Sequence, residues 1–208
     1  MFFFRRLRRL ELCGQRHVRL RANGNEVWKE EPGAVSVRRY VLHRHAVGEG
    51  QLTLAFQDVE VPPPEALYCL LPVKHLGFHV ALDGPFELVA SRGDVHEGSV
   101  RNQVLVEALP EAFAGALRAH PQLAPRALSY LGQVTSALWR PAHQRLLEEL
   151  RGTACVQLED GGHGLPEHCL LRPQGLGLMA SQLIGSELLW RSCQRRWAKA
   201  SSLGLEAG

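Results

Sequence analysis

Residues 86–117 read FELVASRGDVHEGSVRNQVLVEALPEAFAGAL, and in this stretch the chain changes from a strand pattern to a helix pattern. Before it, short segments alternate apolar and polar residues, which is typical of strands with one buried face. From about Ser99, a plausible N-cap, apolar residues recur in steps of three and four, as on a helix. Pro110 interrupts these steps and predicts a break. The order of the two patterns predicts an α+β fold, with a meander of strands followed by helices.

The first half of the chain carries predicted strands that are separated by turns. Asn23-Gly24-Asn25 is a strong hairpin signal. Strands are expected on both sides of it and farther along, over 17–21, 26–29, 35–42, 51–56, 67–71, 78–82 and 86–89. The three prolines at 62–64 mark a loop, because proline cannot donate a hydrogen bond within a sheet.

The second half is predicted to be mostly helical and to end in a small mixed part. Helices are expected over 99–117, 126–138, 142–150 and 178–200. Short strands are expected over 153–158 and 169–171, with a flexible Gly-rich turn at 160–164. We therefore expect two units: an α+β module over 1–151, and a small mixed C-terminal segment over 152–208 that ends in a helix.

Composition is that of an ordinary globular protein. The 208 residues are 45% hydrophobic and 22% charged, with a net charge of +3. No apolar run approaches the roughly 20 residues that cross a membrane, and the start does not have the charge order of a secretory signal. The five scattered cysteines indicate free thiols in a reducing compartment. We expect a cytoplasmic protein without membrane contact, with the nucleus as the alternative location.

Motifs that would carry catalysis or hold a cofactor are missing from the sequence. There is no Gly-x-x-x-x-Gly-Lys-Ser/Thr phosphate loop and no Gly-x-Ser-x-Gly nucleophile turn. His43 and His45 would share one face of a strand, and His163, His168 and Cys169 surround a Gly-rich loop. Neither group has zinc-site spacing, so both are interpreted as structural or surface side chains, and no metal or cofactor is expected.

Ser91 and Arg92 form the more informative pair. The predicted strand over 86–89 delivers them to a turn at Gly93, and a helix follows. An arginine held at a strand end can reach an anionic group on another domain through paired hydrogen bonds. The alternative is a surface arginine that caps a turn.

Several stretches resemble the sacsin and NO VEIN family of chaperone-like ATPases. LYCLLP and GFHVALDGPFELVASR, at residues 67–72 and 77–92, are similar to a family pattern that continues into a Trp-Asn dipeptide and a helix. Asn102 matches that asparagine, whereas Arg101 stands in the place of the tryptophan. Residues 2–12 resemble a stretch that follows the family's ATPase domain, and residues 159–173 look like its region after the helices.

The resemblance implies a module comparable to the middle domain of a chaperone. In related heat-shock chaperones, a Ser-Arg-Glu stretch of that domain reaches the γ-phosphate of ATP held by the N-terminal domain. Ser91 and Arg92 would occupy this place, with Gly93 where the glutamate would be. The family's ATP-binding elements, of the Bergerat type, are absent from this chain, which would begin where that domain ends. By this resemblance, the chain is not expected to be an enzyme.

The expected function is therefore that of a non-catalytic, chaperone-like protein-interaction module. The chain would be a fragment or a truncated paralogue of a sacsin/NO VEIN-type ATPase. Its partner would be a protein, or an ATPase domain supplied elsewhere. The alternative is a nucleic-acid-associated protein that uses the arginine-rich N-terminus, in a chain where all but three of the 24 Lys and Arg residues are arginine. Nucleic acid is the less favoured partner, since few of these arginines cluster with aromatic residues.

Overall fold

The computed structural model describes residues 9–12, 15–30, 37–159, 161–170 and 196–198. An N-terminal sheet is followed by helices and by short strand pairs, so the predicted α+β class is confirmed. None of the helices in the described residues is long and apolar enough to cross a membrane.

The N-terminal layer is an eight-stranded sheet. Its strands are β1 (Arg9–Leu12), β2 (Gln15–Asn23), β3 (Glu26–Glu30), β4 (Arg38–Val47), β5 (Gly50–Gln57), β6 (Ala66–Cys69), β7 (Leu71–His75) and β8 (Ala81–Asp83). They lie in the order β1-β2-β3-β4-β5-β8-β6-β7. All neighbours are antiparallel except β6 and β8, which are parallel. The predicted hairpin turn is confirmed, because Gly24 adopts a φ of 59° between β2 and β3.

The helical layer consists of α1 (Val100–Glu107), α2 (Leu109–Ala119) and α3 (Arg140–Arg151). Ser99 caps α1 as predicted, since its side chain accepts a hydrogen bond from the amide of Asn102. Pro110 falls at the start of α2, where its missing amide hydrogen costs nothing, and the chain breaks between the two helices as predicted. Pro141 lies in the first turn of α3 for the same reason, so α3 begins earlier than the predicted residue 142.

Beyond α3 the described chain forms short strand pairs. β9 (Val156–Gln157) pairs with β10 (His163–Gly164), and β11 (Cys169–Leu170) lies parallel to β12 (Arg196–Trp197). Most of the helix predicted over 178–200 lies outside the described residues, but at 196–197 the chain is a strand. The prediction fails there because Leu170 and Ala198 extend the main-chain hydrogen bonding of this pair.

The main core lies between one face of the sheet and the helices. Phe56 of β5 packs edge-on against Phe113 of α2 and Tyr130, with ring centroids 5.5 and 5.0 Å apart. Cys155, Val156 and Ala198 of the C-terminal part belong to the same cluster. A second apolar cluster lies on the opposite face of the sheet and consists of Val27, Tyr40, Leu42, Ala55 and Ala81, with Tyr68 packed against them.

The helix predicted over 126–138 is wrong. The structure has 3-10 turns at Pro121–Arg126 and Leu128–Tyr130 and an irregular segment after them. Arg126 forms an ion pair with Asp58 at 2.8 Å, and the Tyr130 hydroxyl donates to the carbonyl of Gln57 at 3.0 Å. These polar contacts fasten the segment to the end of β5, and they outweigh the helical propensity of the apolar side chains.

Three of the strands predicted in the first half of the chain are shorter than expected. The stretch 67–71 turns at Leu70 into the β6–β7 hairpin, so Cys69 pairs with Leu71, and Leu67 pairs with Lys74. The stretch 78–82 becomes a strand only at Ala81. The stretch 86–89 contributes a single antiparallel bridge, between Leu88 and Val95, because the chain folds back immediately.

A backbone contact between two glycines joins the sheet to the irregular segment. Gly77 has a φ of 94° and Gly132 a φ of 54°. The carbonyl of Gly77 accepts a hydrogen bond from the amide of Gln133 at 3.1 Å. A Cβ atom on Gly132 would lie 2.0 Å from the Gly77 carbonyl oxygen, so no other residue fits at this position.

We expect Gly132→Ala to lower the free energy of unfolding by about 3 kcal/mol or more, because left-handed strain adds to a backbone clash. Gly161→Ala separates the two effects, since Gly161 has a φ of 89° but nothing within 4 Å of the new Cβ, and it should lose only the strain. Gly152→Ala is the neutral control, with its nearest atom at 3.9 Å. Urea denaturation of the three variants measures the difference. Equal losses for Gly132 and Gly161 would contradict the proposed clash.

Candidate functional site

Residues 87–96 fold into a short loop that we call the Arg92 hairpin. Its two sides meet through the Leu88–Val95 bridge and through a hydrogen bond from the His96 amide to the Glu87 carbonyl at 2.8 Å. A tight turn closes it, because the Arg92 amide donates to the carbonyl of Val89 at 2.8 Å. The hairpin therefore presents the sequence Ser-Arg-Gly at an exposed turn.

Arg92 adopts an unusual backbone conformation in this turn. Its φ is 59°, a region that residues other than glycine, asparagine and aspartate seldom adopt. Its side chain is exposed, and among the described residues the guanidinium has no hydrogen-bond or ion-pair partner. All of its donors are therefore available to an anion from outside the described chain.

Ser91, the second predicted site residue, is also exposed in the turn. Its hydroxyl oxygen accepts a long hydrogen bond from the amide of Gly93, at 3.4 Å. Ser91 thus stabilises the turn that carries Arg92, and its hydroxyl hydrogen remains free to donate.

Asn102 holds the base of the hairpin. Its side chain is completely buried, and its Oδ1 accepts from the Glu87 amide at 2.8 Å. Its Nδ2 donates to the carbonyls of Glu87 and His96 at 2.8 and 2.9 Å. One carboxamide thus satisfies three main-chain groups on both sides of the hairpin, as a complete buried network requires. It also ties the hairpin to α1.

Two more side chains restrain the hairpin. The Ser99 hydroxyl donates to Oε2 of Glu87 at 2.6 Å while it caps α1, so the helix N-terminus and the hairpin share one hydrogen-bond chain. On the far side, Lys74 of β7 forms a 2.5 Å ion pair with Asp94. The Arg92 turn is therefore fastened at its base by α1 and near its tip by the sheet.

A second exposed turn lies beside the hairpin, at the connection of β6 to β7. Leu70 forms its tip with a φ of 66°, and its amide donates to Oδ1 of Asp83 at 3.2 Å. Burial raises the pKa of the Asp83 carboxyl to about 6, although the Leu70 amide acts in the opposite direction. The Cys69 thiol contacts the carbonyl of Phe86 at 3.4 Å, which connects this turn to the start of the hairpin.

The histidines do not form a metal site in the described part of the chain. His43 and His45 share a face of β4 as predicted, and they point towards α2. His43 lies edge-on to His120, with ring centroids 6.1 Å apart. Burial lowers the pKa of His43, and nearby His120, His45 and Arg118 lower it further. Among the described residues, no three His, Cys, Asp or Glu side chains group as metal ligands would.

The sequence singled out Ser91 and Arg92 but assigned no role to the residues that hold them. Asn102 stood out only through the family resemblance, and Glu87 and Lys74 did not stand out at all. The one local signal was Ser99, whose capping position could have suggested a contact with the preceding loop. The contacts of Asn102 span 15 residues along the chain, so spacing alone could not reveal them.

Comparisons with known proteins support a distant relationship. No protein-family model matches the chain, and no solved structure matches it. A segment of Protein NO VEIN from Arabidopsis thaliana is 30% identical to it over 122 residues. This match covers 52% of the chain and 4% of the length of Protein NO VEIN. The chain is thus similar to a small part of a much longer protein.

Asn102→Ala should lower the free energy of unfolding by about 3 kcal/mol, because three hydrogen bonds to the main chain are lost, each worth about 1 kcal/mol. Urea denaturation measures this loss, and faster amide exchange at His96 would locate it in the Arg92 hairpin. Gln103→Ala is the matched control, since Gln103 is the exposed neighbour on the same helix. A loss no larger than that of the control would refute the role of Asn102.

Asp83→Asn should stabilise the protein at pH 7 and have little effect near pH 4. The pKa of Asp83 is raised in the folded state, so its contribution is present below its ordinary value of 3.8 and is lost as the pH rises through about 6. The asparagine oxygen can still accept from the Leu70 amide. We expect a gain on the order of 2 kcal/mol at pH 7 in urea denaturation. The same gain at both pH values, or in the exposed control Glu97→Gln, would contradict this origin.

Proposed function

We propose that the chain is a non-catalytic, chaperone-like interaction module of the sacsin/NO VEIN type. In this proposal it contacts an ATPase domain supplied elsewhere, and Arg92 reaches the phosphates of the bound nucleotide. The observation that carries the proposal is a single exposed arginine, without a partner among the described residues, at the tip of a hairpin that three separate contacts restrain.

The restrained backbone matters because it lowers the entropic cost of binding. A guanidinium presents its donors in a fixed fork, which suits the paired oxygens of a phosphate. If the turn beneath it were mobile, binding would also have to order the main chain. The Asn102 contacts and the Lys74–Asp94 ion pair hold that main chain in place before any partner arrives.

The proposal assigns no chemistry to the chain alone. An arginine stabilises the charge of a transferring phosphate only when another site holds and aligns the nucleotide. The role of Arg92 would therefore be to complete a site on the partner. The similarity to a segment of Protein NO VEIN, which covers 4% of that protein, supports the NO VEIN-like part of the proposal.

The test is to mix the chain with the ATPase domain of a full-length sacsin/NO VEIN-type protein and to measure ATP turnover. The wild-type chain should stimulate turnover, and Arg92→Ala should lose about tenfold or more of that stimulation, since arginines that contact the transferring phosphate have large effects. Arg92→Lys keeps the charge without the fork and should recover only part of it. Arg101→Ala, an exposed arginine on α1, is the matched control.

Two results would contradict the proposal in different ways. If Arg92→Ala stimulates turnover as well as the wild type does, the chain is a partner but Arg92 has no role. If the wild-type chain neither binds the ATPase domain nor stimulates it, the proposal that the chain is an interaction module for such a domain is wrong. The nucleic-acid alternative rests mainly on arginines at residues 5, 6, 8 and 195, which lie outside the described residues, and it stays a prediction. Binding to a duplex that weakens steeply with salt would favour it.

A further inference from the structure

The two strained turns of the site share one property. In the described part of the chain, Leu70 and Arg92 are the residues other than glycine that have a positive φ, at 66° and 59°. Such a conformation is costly for a residue with a Cβ atom, and it concentrates at functional sites when the surrounding structure enforces it. Glycine would adopt the positive φ of both turns with less backbone strain. The presence of leucine and arginine at these positions therefore needs a reason other than the backbone conformation.

The second turn exposes leucine side chains. Leu70 and Leu71 are 58% and 59% exposed. They follow one another at the tip of the β6–β7 hairpin, where the Asp83 carboxylate holds the Leu70 amide. Neither leucine joins the two buried clusters of the described residues. Scattered exposed leucines are ordinary, but two adjacent ones on a fixed tip form a small, defined apolar surface.

The two turns are neighbours and can fit within one interface. The Lys74–Asp94 ion pair and the contact from Cys69 to Phe86 connect the two hairpins. Lys74 is three residues from Leu71, and Asp94 is two from Arg92, so chain reach limits the separation of Leu71 and Arg92 to about 30 Å. A standard interface buries about 800 Å² on each partner and is therefore roughly 30 Å across.

We infer that Leu70 and Leu71 form the apolar anchor of the surface whose anion contact is Arg92. The partner surface would offer an apolar pocket next to an anionic group, and the two tips would enter it together. This inference rests on the proposed function. It assigns the affinity for the partner to Leu70 and Leu71, and it leaves the phosphate contact to Arg92. Interfaces commonly combine a few apolar anchors with an arginine in this way.

Local charge favours a protein partner over an anionic membrane. The Asp83 carboxylate lies directly under the leucine tip, and Asp94 neutralises Lys74 beside the Arg92 turn. Arg92 is then the cation of these two turns that has no partner among the described residues. Stable attachment to an anionic membrane usually requires a cluster of basic residues or a larger apolar surface. A folded partner needs only one anionic group for one arginine.

The experiment measures the affinity of the full chain for the ATPase domain together with maximal turnover at saturation. Leu70→Gly and Leu71→Ser should each raise the dissociation constant by tenfold or more. The ATPase domain saturated with either variant should still reach the turnover that it reaches with the wild type. Arg92→Ala should show the reverse, with lost turnover and smaller loss of affinity. Leu70→Gly also suits the positive φ, so a melting temperature at or above that of the wild type would show that it folds.

Val37→Ser is the matched control. Val37 is 54% exposed and precedes β4, which is four strand positions from β7, or roughly 19 Å across the sheet. Arg44 is the residue of β4 that lies level with Asp83, so Val37 is also displaced by seven residues, or about 23 Å, along the strand, which places it about 30 Å from the leucine tip. Its affinity should stay within twofold of the wild type. This comparison separates the leucine tip from a general effect of losing exposed apolar area.

The possible outcomes distinguish the two proposals. If the wild type binds and the leucine variants bind equally well, the anchor is overturned and the proposed function stands. If the leucine variants lose affinity while Arg92→Ala still stimulates turnover, the anchor stands and the phosphate contact fails. If the wild-type chain does not bind, both fail. Leucine-dependent binding to phosphatidylcholine vesicles that contain phosphatidylserine, without binding to the ATPase domain, would replace the protein partner with a membrane.

Discussion

The buried carboxamide of Asn102 is the interaction on which the candidate site depends. It uses all three of its hydrogen bonds to hold main-chain groups at the base of the Arg92 hairpin. The carbonyls of Glu87 and His96 also accept from the amides of His96 and Ser99, so the carboxamide completes a network that joins both sides of the hairpin to α1. The hairpin is consequently held against α1 by the Asn102 side chain, although it lies outside the helices and the sheet strands.

The rest of the site adds restraint to this base. Lys74 and Asp94 connect the hairpin to the sheet, and Asp83 holds the neighbouring turn at Leu70. Both turns keep a bulky side chain in a conformation that glycine would adopt more easily. Local strain that is retained in this way is consistent with side chains that contact a partner: Arg92 through its charge and Leu70 through its apolar surface.

The position of the helical layer follows from a different constraint, the close approach of Gly77 and Gly132. This contact leaves no room for a side chain, and it sets the irregular segment between α2 and α3 against the sheet. Arg126 and Tyr130 then reach the end of β5 with polar groups. Together they place Tyr130 against Phe56 in the main core, where a continuous helix would have directed other residues inward.

The sequence by itself determined the α+β class, the hairpin at Gly24, the N-cap at Ser99 and the exposed turn at Arg92, because each depends on residues close together in the chain. Only the tertiary structure decided that residues 126–138 are not a helix, and that residues 67–71 are a hairpin. It also decided that Asn102 holds the Arg92 turn. These features arise from contacts between distant segments, whose energies exceed the few tenths of a kcal/mol that local propensity contributes at a residue.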